Sequence, residues 1–257
     1  MVSDHQQMIA ERFSVELAND KISITEEQLK KFQLYYALLL HWNEKMNLTA
    51  ITKVEEVFNK HFYDSLTLAM VYPQIAGDYR LIDIGSGAGF PGIPLKIMFP
   101  QLKITFLDSL QKRVHYLETV CNELALENCT FIHGRAEDIA HKPEYREQFD
   151  FAVARAVARL AVLNELCLPF VKIGGVFFAM KGPDVDLEIT EAGKSLKTFK
   201  SAIIKTDSLE LPDDQGKRSI IQIRKTGPMP HNFPRKPGTP SKSPILSSTH
   251  AAKGRKI

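Results

Sequence analysis

Asp83, Gly85, Gly87, Gly89 and Asp108 are the residues whose types and spacing first suggest chemistry. The three glycines alternate within LIDIGSGAGFPGIPL, which starts at Leu81. Glycine takes positive φ without strain and lets a backbone approach a ligand closely. An apolar strand over 81–84, a glycine turn and a helix beginning within 91–94 would form a nucleotide-type site at the carboxyl end of a strand. Gly87, Gly89 and Gly92 also satisfy G-x-G-x-x-G, so the glycines alone suit a dinucleotide site. They also suit a tight packing turn that binds nothing. Asp108 ends the next apolar run, roughly 20 residues on, where a carboxylate can accept both ribose hydroxyls. It could equally cap the helix that follows.

Asp83 and the extra glycine alter this balance. The pattern D-x-G-x-G-x-G resembles the cofactor loop of S-adenosylmethionine (SAM) methyltransferases. That cofactor carries no pyrophosphate, and an acidic side chain beside the loop suits its cationic amino group and sulfonium. In this topology Arg135-Ala136-Glu137-Asp138 would lie over the adenine, with the Ala136 backbone and the Glu137 side chain at its edge. Plain solvent exposure of an acidic loop is the competing reading. Arg155 follows the fourth expected strand, at the position where methyltransferases of exocyclic amines carry an Asn/Asp-Pro-Pro-aromatic motif. This chain lacks that motif, and it lacks the Pro-Cys nucleophile of pyrimidine C5 enzymes. A guanidinium suits a cofactor carboxylate, a phosphate or a guanine acceptor edge. It could also simply pair with a nearby acid. In HFYDS, His61 and Asp64 are three apart and could face the same way on a helix. No further ligands stand near enough for a metal, so a cap by Asp64 and a packed or surface histidine is the simpler reading, and no metal is expected.

Several elements must position these groups. Residues 1–77 read as a helical region. Met8, Ile9, Phe13 and Leu17 fall at helical spacing, and Thr25 with Gln28 is a capping-box signature before an apolar helix. Further helical segments are expected from Val54 and from Asp64, after a break at Asn47. From residue 78 to 225 strand and helix alternate. Strands are expected over 81–84, 103–107, 130–133, 151–154 and 176–180, with a helix over 109–126 and a closing strand pair over 202–205 and 219–224. This predicts an α/β Rossmann-like methyltransferase fold with a mainly parallel seven-stranded sheet, preceded by the helical extension. A dinucleotide fold would more often continue with another helix and parallel strand. Residues 226–257 hold six prolines among interleaved Lys and Arg, and are expected to be extended or disordered.

The 257 residues carry 44% hydrophobic and 25% charged side chains, enough for a substantial core. The sequence shows neither a membrane-length apolar run nor a signal-peptide-like start, and the expected location is cytoplasmic. Cys121, Cys129 and Cys167 form no C-x-x-C pair and read as core filler in a reduced chain. The net charge of +3 hides an asymmetry. Ten Lys/Arg and no Asp/Glu follow residue 214, against 23 basic and 30 acidic residues before it. A basic end on a neutral-to-acidic body suits a polyanionic partner, or is simply a solvated tail.

Taken together, DIGSGAGFPGIPL, LDSLQKRVHYLETV, GRAED, the ARA that starts at Ala154, AMKG and the upstream HFYDS resemble the bacterial 16S rRNA guanine-N7 methyltransferase family, also called the glucose-inhibited division protein B family. The basic FPRKPGTPSKSP segment is similar too. The likeness covers nearly the whole chain. It implies methyl transfer from SAM to N7 of one guanine in 16S rRNA or the small subunit, by a cytoplasmic enzyme. By the same likeness the cofactor positions fall on Gly85, Phe90, Ala136, Glu137 and Arg155; the loop glycine Gly87 and the ribose carboxylate Asp108 come from the residues themselves. Arg155 and Lys181 are candidates for orienting the acceptor, and no residue is assigned as an indispensable catalyst. Arg235, Lys236 and Lys242 are candidate phosphate contacts. Removing residues after Gly227 is then expected to weaken RNA binding and spare SAM affinity. A monomer is expected. A SAM methyltransferase acting on another acceptor, or a non-catalytic RNA-binding assembly protein, are the alternatives. A SAM titration separates the second, and RNA-dependent activity the first. The segment after Leu246 extends beyond the family pattern and is expected to be disordered.

Overall fold

Leu81 and Ile82 point to opposite faces of a sheet, and each is fully buried. The same holds for Val153 and Ala154, and for Phe177 and Phe178. Strands buried on both faces read as apolar runs, which is why their positions are legible. The computed structural model describes residues 4–155 and 158–247. Its sheet is built from β1 (Arg80–Ile84), β2 (Lys103–Asp108), β3 (Cys129–His133), β4 (Phe149–Arg155), β5 (Val171–Lys181), β6 (Ser201–Glu210) and β7 (Lys217–Lys225). The order is β3-β2-β1-β4-β5-β7-β6. β1 to β5 are parallel, while β7 runs antiparallel between β5 and β6. The expected five parallel strands and closing hairpin are therefore present, with longer strands in the second half.

One face of the sheet is covered by the N-terminal helices, α1 (Asp4–Asn19) and α2 (Glu26–Met46). Thr25 and Gln28 make the expected capping box at the start of α2. Asn47 takes a left-handed conformation that ends it. The two segments expected after Asn47 form one run instead. α3 (Val54–Val57) passes through a π-helical turn (Phe58–Tyr63) into α4 (Asp64–Val71) without a break. Phe13, Phe32, Phe58 and Phe62 interlock edge-on or tilted and join α1, α2 and the π turn to the sheet's core. Helix α5 (Gly92–Met98) follows the glycine turn and α6 (Gln111–Glu123) follows β2. The other face is covered by α7 (Ala136–Ile139), α8 (Leu160–Cys167) and α9 (Asp186–Thr198) around a second core.

The segment after residue 225 differs from the expectation of an extended or disordered tail. Residues 226–247 form a strap bound to the second face, with a short helix α10 (Thr239–Lys242). Its prolines leave few donors for secondary structure, so side chains of the body supply them. Arg146 donates to the carbonyls of Phe233 at 2.9 Å and Pro230 at 3.0 Å. His141 Nε2 lies 2.8 Å from the Pro234 carbonyl. Phe233 packs edge-on against Phe199 with centroids 5.1 Å apart. The expectation of disorder for 248–257, and Ala156 of the ARA motif, fall outside the described residues.

Candidate functional site

The parallel order leaves the carboxyl ends of β3, β2, β1 and β4 side by side, and the sequence-expected groups gather there. β1 hands the chain to the glycine turn, whose Gly85 N–H donates to the Leu107 carbonyl of β2 at 2.8 Å. Gly87 holds φ of +57°, and a side chain there would meet little beyond the Gly85 carbonyl 3.7 Å away. It is therefore glycine for conformation and ligand approach. Gly92 is glycine for space. A Cβ on it would stand 2.4 Å from Phe106 and 2.7 Å from Asp83 Oδ2.

Asp83 is buried, and its Oδ2 accepts from the Gly92 N–H at 2.9 Å. Its Oδ1 is buried with no hydrogen-bond partner. Burial pushes this carboxyl up to about 7, and Arg155 offsets part of that. Asp108 is bonded through both carboxylate oxygens to backbone on either side of it. Its Oδ2 accepts from Gly87 N–H and its Oδ1 from Leu110 N–H, each at 2.9 Å. It thus braces the glycine turn as well as the entry to α6. Ala136 opens α7 at the end of the loop after β3. Glu137 beside it is buried rather than solvated, since its Oε1 accepts from Gly238 N–H of the strap at 2.9 Å.

Phe90 turns its ring into the wall between the turn and the N-terminal helices. His61 stacks on it at 4.4 Å, and the Arg155 guanidinium lies over it at 4.8 Å. Arg155 ends β4 and pairs with an acid, as one reading of the sequence has it. The acid is Asp64, whose Oδ2 accepts from Nη1 at 3.1 Å. Nη1 also approaches the Lys60 carbonyl at 3.3 Å, and Nη2 lies 3.2 Å from His61 Nδ1. His61 Nδ1 also lies 3.1 Å from the Lys60 carbonyl, and its Nε2 meets Thr49 Oγ1 at 2.8 Å. Burial and the Arg155 charge drive the His61 pKa down to about 3 and keep it neutral. Asp64 is not a helix cap as expected. The π turn runs straight into α4, so its backbone N–H is already bonded and its carboxylate is free for arginine.

Lys181 is near Arg155 but occupied. Its ammonium donates to the Ala158 carbonyl at 2.7 Å and pairs with Glu188 at 2.8 Å. Arg235 is turned inward. It grips Glu165, which is 1% exposed, through Nε at 2.9 Å and Nη2 at 2.6 Å. Lys236 and Lys242 stay exposed on the strap. Sequence reasoning missed Arg218, on β7, whose Nε lies 3.2 Å from Asp64 Oδ1. Only the sheet order brings β7 beside β5 and α4, so no local signal marks it. Among the described residues no cluster of potential metal ligands is present.

The residues present fit SAM on one observation above all. Asp83 Oδ1 is an orphaned acceptor beside an open glycine turn, which is what a cationic ligand requires. Gly85, Gly87, Asp108, Ala136 and Glu137 rim that same edge.

Comparison with known proteins gives a consistent answer. The family model described as rRNA small subunit methyltransferase G (GidB) matches residues 28–216. The ribosomal RNA small subunit methyltransferase G of Brevibacillus brevis is 48% identical over 241 residues, covering 93% of this chain and all of that protein. Its namesake in Bacillus velezensis is 48% identical over 238 residues, covering 93% and 99%. That of Staphylococcus saprophyticus is 48% identical over 231 residues, covering 90% and 96%.

Proposed function

This chain belongs to the GidB family of rRNA small subunit methyltransferases, and from that premise we propose that it methylates N7 of one guanine in small-subunit ribosomal RNA. It is a SAM-dependent methyltransferase. The observation that carries the acceptor reading is Arg155, a charged group with its anchor on α4, standing where other methyltransferases carry an amine-activating or nucleophilic motif.

When bound, SAM supplies an electrophilic methyl group, which guanine N7 can take with its in-plane lone pair. Such a transfer would break the carbon–sulfur bond as the nitrogen–carbon bond forms, and would pass the positive charge from sulfur to the purine. No proton leaves N7, so no general base is required, in keeping with a neutral, fully engaged His61. The residues then act by position. Asp83 and the glycine turn would hold the donor's charged end, Asp108 the ribose, and Ala136 with Glu137 the adenine edge. Arg155 and Phe90 form the wall between donor and acceptor. Catalysis rests on alignment and exclusion of water. N7 lies on the Hoogsteen edge, so the base must be splayed from its helix or lie in an open loop. A cytoplasmic monomer acting on naked rRNA or on an assembling subunit belongs to the same proposal. No described helix is long and apolar enough to cross a membrane.

The test is direct. Purified protein, labelled SAM and small-subunit rRNA from cells lacking this modification are incubated, and the product is digested to nucleosides. N7-methylguanosine at one site is the expected result. Measurable SAM binding with no methylated nucleoside, on naked RNA and on subunits alike, would overturn the reading.

A further inference from the structure

A cavity of about 310 Å³ opens where β4 and β5 end and β7 begins, beneath the π turn and α4. Its floor and walls include Ile51, Met180 and Ile220, and Asp64, Arg155 and Arg218 converge on it. That volume is at the small end of ligand sites and suits one planar base between apolar walls. Arg155 is shared. Its guanidinium covers Phe90 of the glycine turn on one side and borders the cavity on the other. The cavity is therefore next to the SAM-type site but distinct from it.

Asp64 has an oxygen to spare. The residue is 4% exposed, and its Oδ2 is taken by Arg155. Its Oδ1 is buried without a hydrogen bond, although Arg218 Nε stands 3.2 Å away in poor alignment. A buried carboxylate oxygen left without a proton is unfavourable unless a ligand completes it. Two guanidinium groups hold the carboxylate in place, and Arg218 pairs with Oδ1 by charge while leaving it without a hydrogen bond.

Resting on the reading of an rRNA guanine as acceptor, we infer that this cavity is the base pocket and that Asp64 is its specificity-determining residue. The Watson–Crick edge of guanine presents N1–H and a 2-amino group, both donors. A carboxylate accepts from both, and Asp64 has free lone pairs for them. Adenine offers an acceptor at N1 and no 2-amino group, so it leaves Asp64 Oδ1 without a hydrogen bond. Flipped or single-stranded bases are commonly read on this edge. Holding that edge against Asp64 also turns N7, on the opposite side of the purine, away from the carboxylate and leaves it free to react. Arg218 is then a positioning residue that fixes the Asp64 rotamer from the β7 side.

A purely structural Asp64, present only to anchor Arg155, gives a different result when two substrates are compared on one protein. The full chain is assayed on small-subunit rRNA whose target guanosine is intact or replaced by inosine, which lacks the 2-amino group. For the wild-type protein kcat/KM should fall about 10- to 100-fold on inosine, the range for a lost hydrogen bond to a charged group. Asp64→Asn should be slower on guanosine, bind SAM within about twofold of wild type, and discriminate guanosine from inosine by a factor near one. Wild-type protein that treats the two substrates alike overturns the assignment, and that arm needs no variant to fold. So does an Asp64→Asn protein that keeps the wild-type ratio. Absence of N7 methylation on the guanosine substrate itself would instead overturn the underlying reading of function.

Discussion

Asp83 holds a charge that its surroundings do not favour. In the unfolded chain an aspartate loses its proton near pH 4, whereas the buried Asp83 keeps it up to about pH 7. Between those values the folded state binds a proton that the unfolded state has lost, so SAM-free stability falls as pH rises through this window. Above pH 7 the loss is complete, at most about 4 kcal/mol for a shift of this size. Asp83→Asn removes the effect. Its stability relative to wild type should therefore rise between pH 4 and 7 and level off above, read by urea denaturation at pH 5 and pH 8. SAM affinity of the wild type should increase over the same range, because a cation beside Oδ1 favours the charged carboxyl. A pH-independent difference between the two proteins would exclude Asp83 as the source. Residues such as Asp83, Gly87 and Asp108 were legible because one contiguous motif encodes them. Asp64 and Arg218 were not, since their meaning depends on a sheet order that joins residues more than 150 positions apart.

The glycine turn and the helix that follows it behave as one element. Asp83 Oδ2, Gly92 N–H and the Phe106 ring meet at the point where α5 touches the sheet. A methyl group at Gly92 would overlap both the ring and the carboxylate. Gly92→Ala should thus destabilise the protein by about 1–3 kcal/mol, the usual range for overpacking. It should also weaken SAM binding, because Asp83 must move. Denaturant midpoint and a SAM titration read the two effects, and an unchanged midpoint would mean that α5 shifts freely. Strand and helix identity over 81–133 follow from apolar runs and turn residues, and the structure agrees there to within a few positions. The π turn is another matter. An extra residue per turn over 58–63 keeps the helix continuous while bringing His61 and Asp64 both to Arg155. Hydrophobic periodicity cannot report such a turn, because α- and π-spacing differ too little over one turn.

Across the whole molecule, the charge asymmetry along the chain is partly an internal match. The body up to residue 214 has seven more acids than bases, and ten bases follow it. Three of those bases are spent on body acids: Arg218 on Asp64, Lys225 on Glu147 and Arg235 on Glu165. A basic, proline-rich composition is common to disordered tails, so composition alone could not reveal a strap whose partners lie on α7, α8 and α9. This revises what truncation should do. Removing residues after Gly227 takes Arg235 from Glu165 and Gly238 from Glu137 and uncovers the second core where Met229, Phe233, Ile245 and Leu246 pack. Stability and SAM affinity should both fall, so a truncated protein cannot report on RNA contact alone. Lys236 and Lys242 remain exposed with no ion pair to an acid among the described residues, and they can be changed without disturbing the strap. The Lys236→Ala/Lys242→Ala double variant should keep stability within about 0.5 kcal/mol. If both lysines contact phosphates, it should bind small-subunit rRNA more weakly and lower the slope of log affinity against log salt by about 1.4 to 1.8. An unchanged slope with intact folding would remove the strap from RNA recognition and leave it a purely structural element.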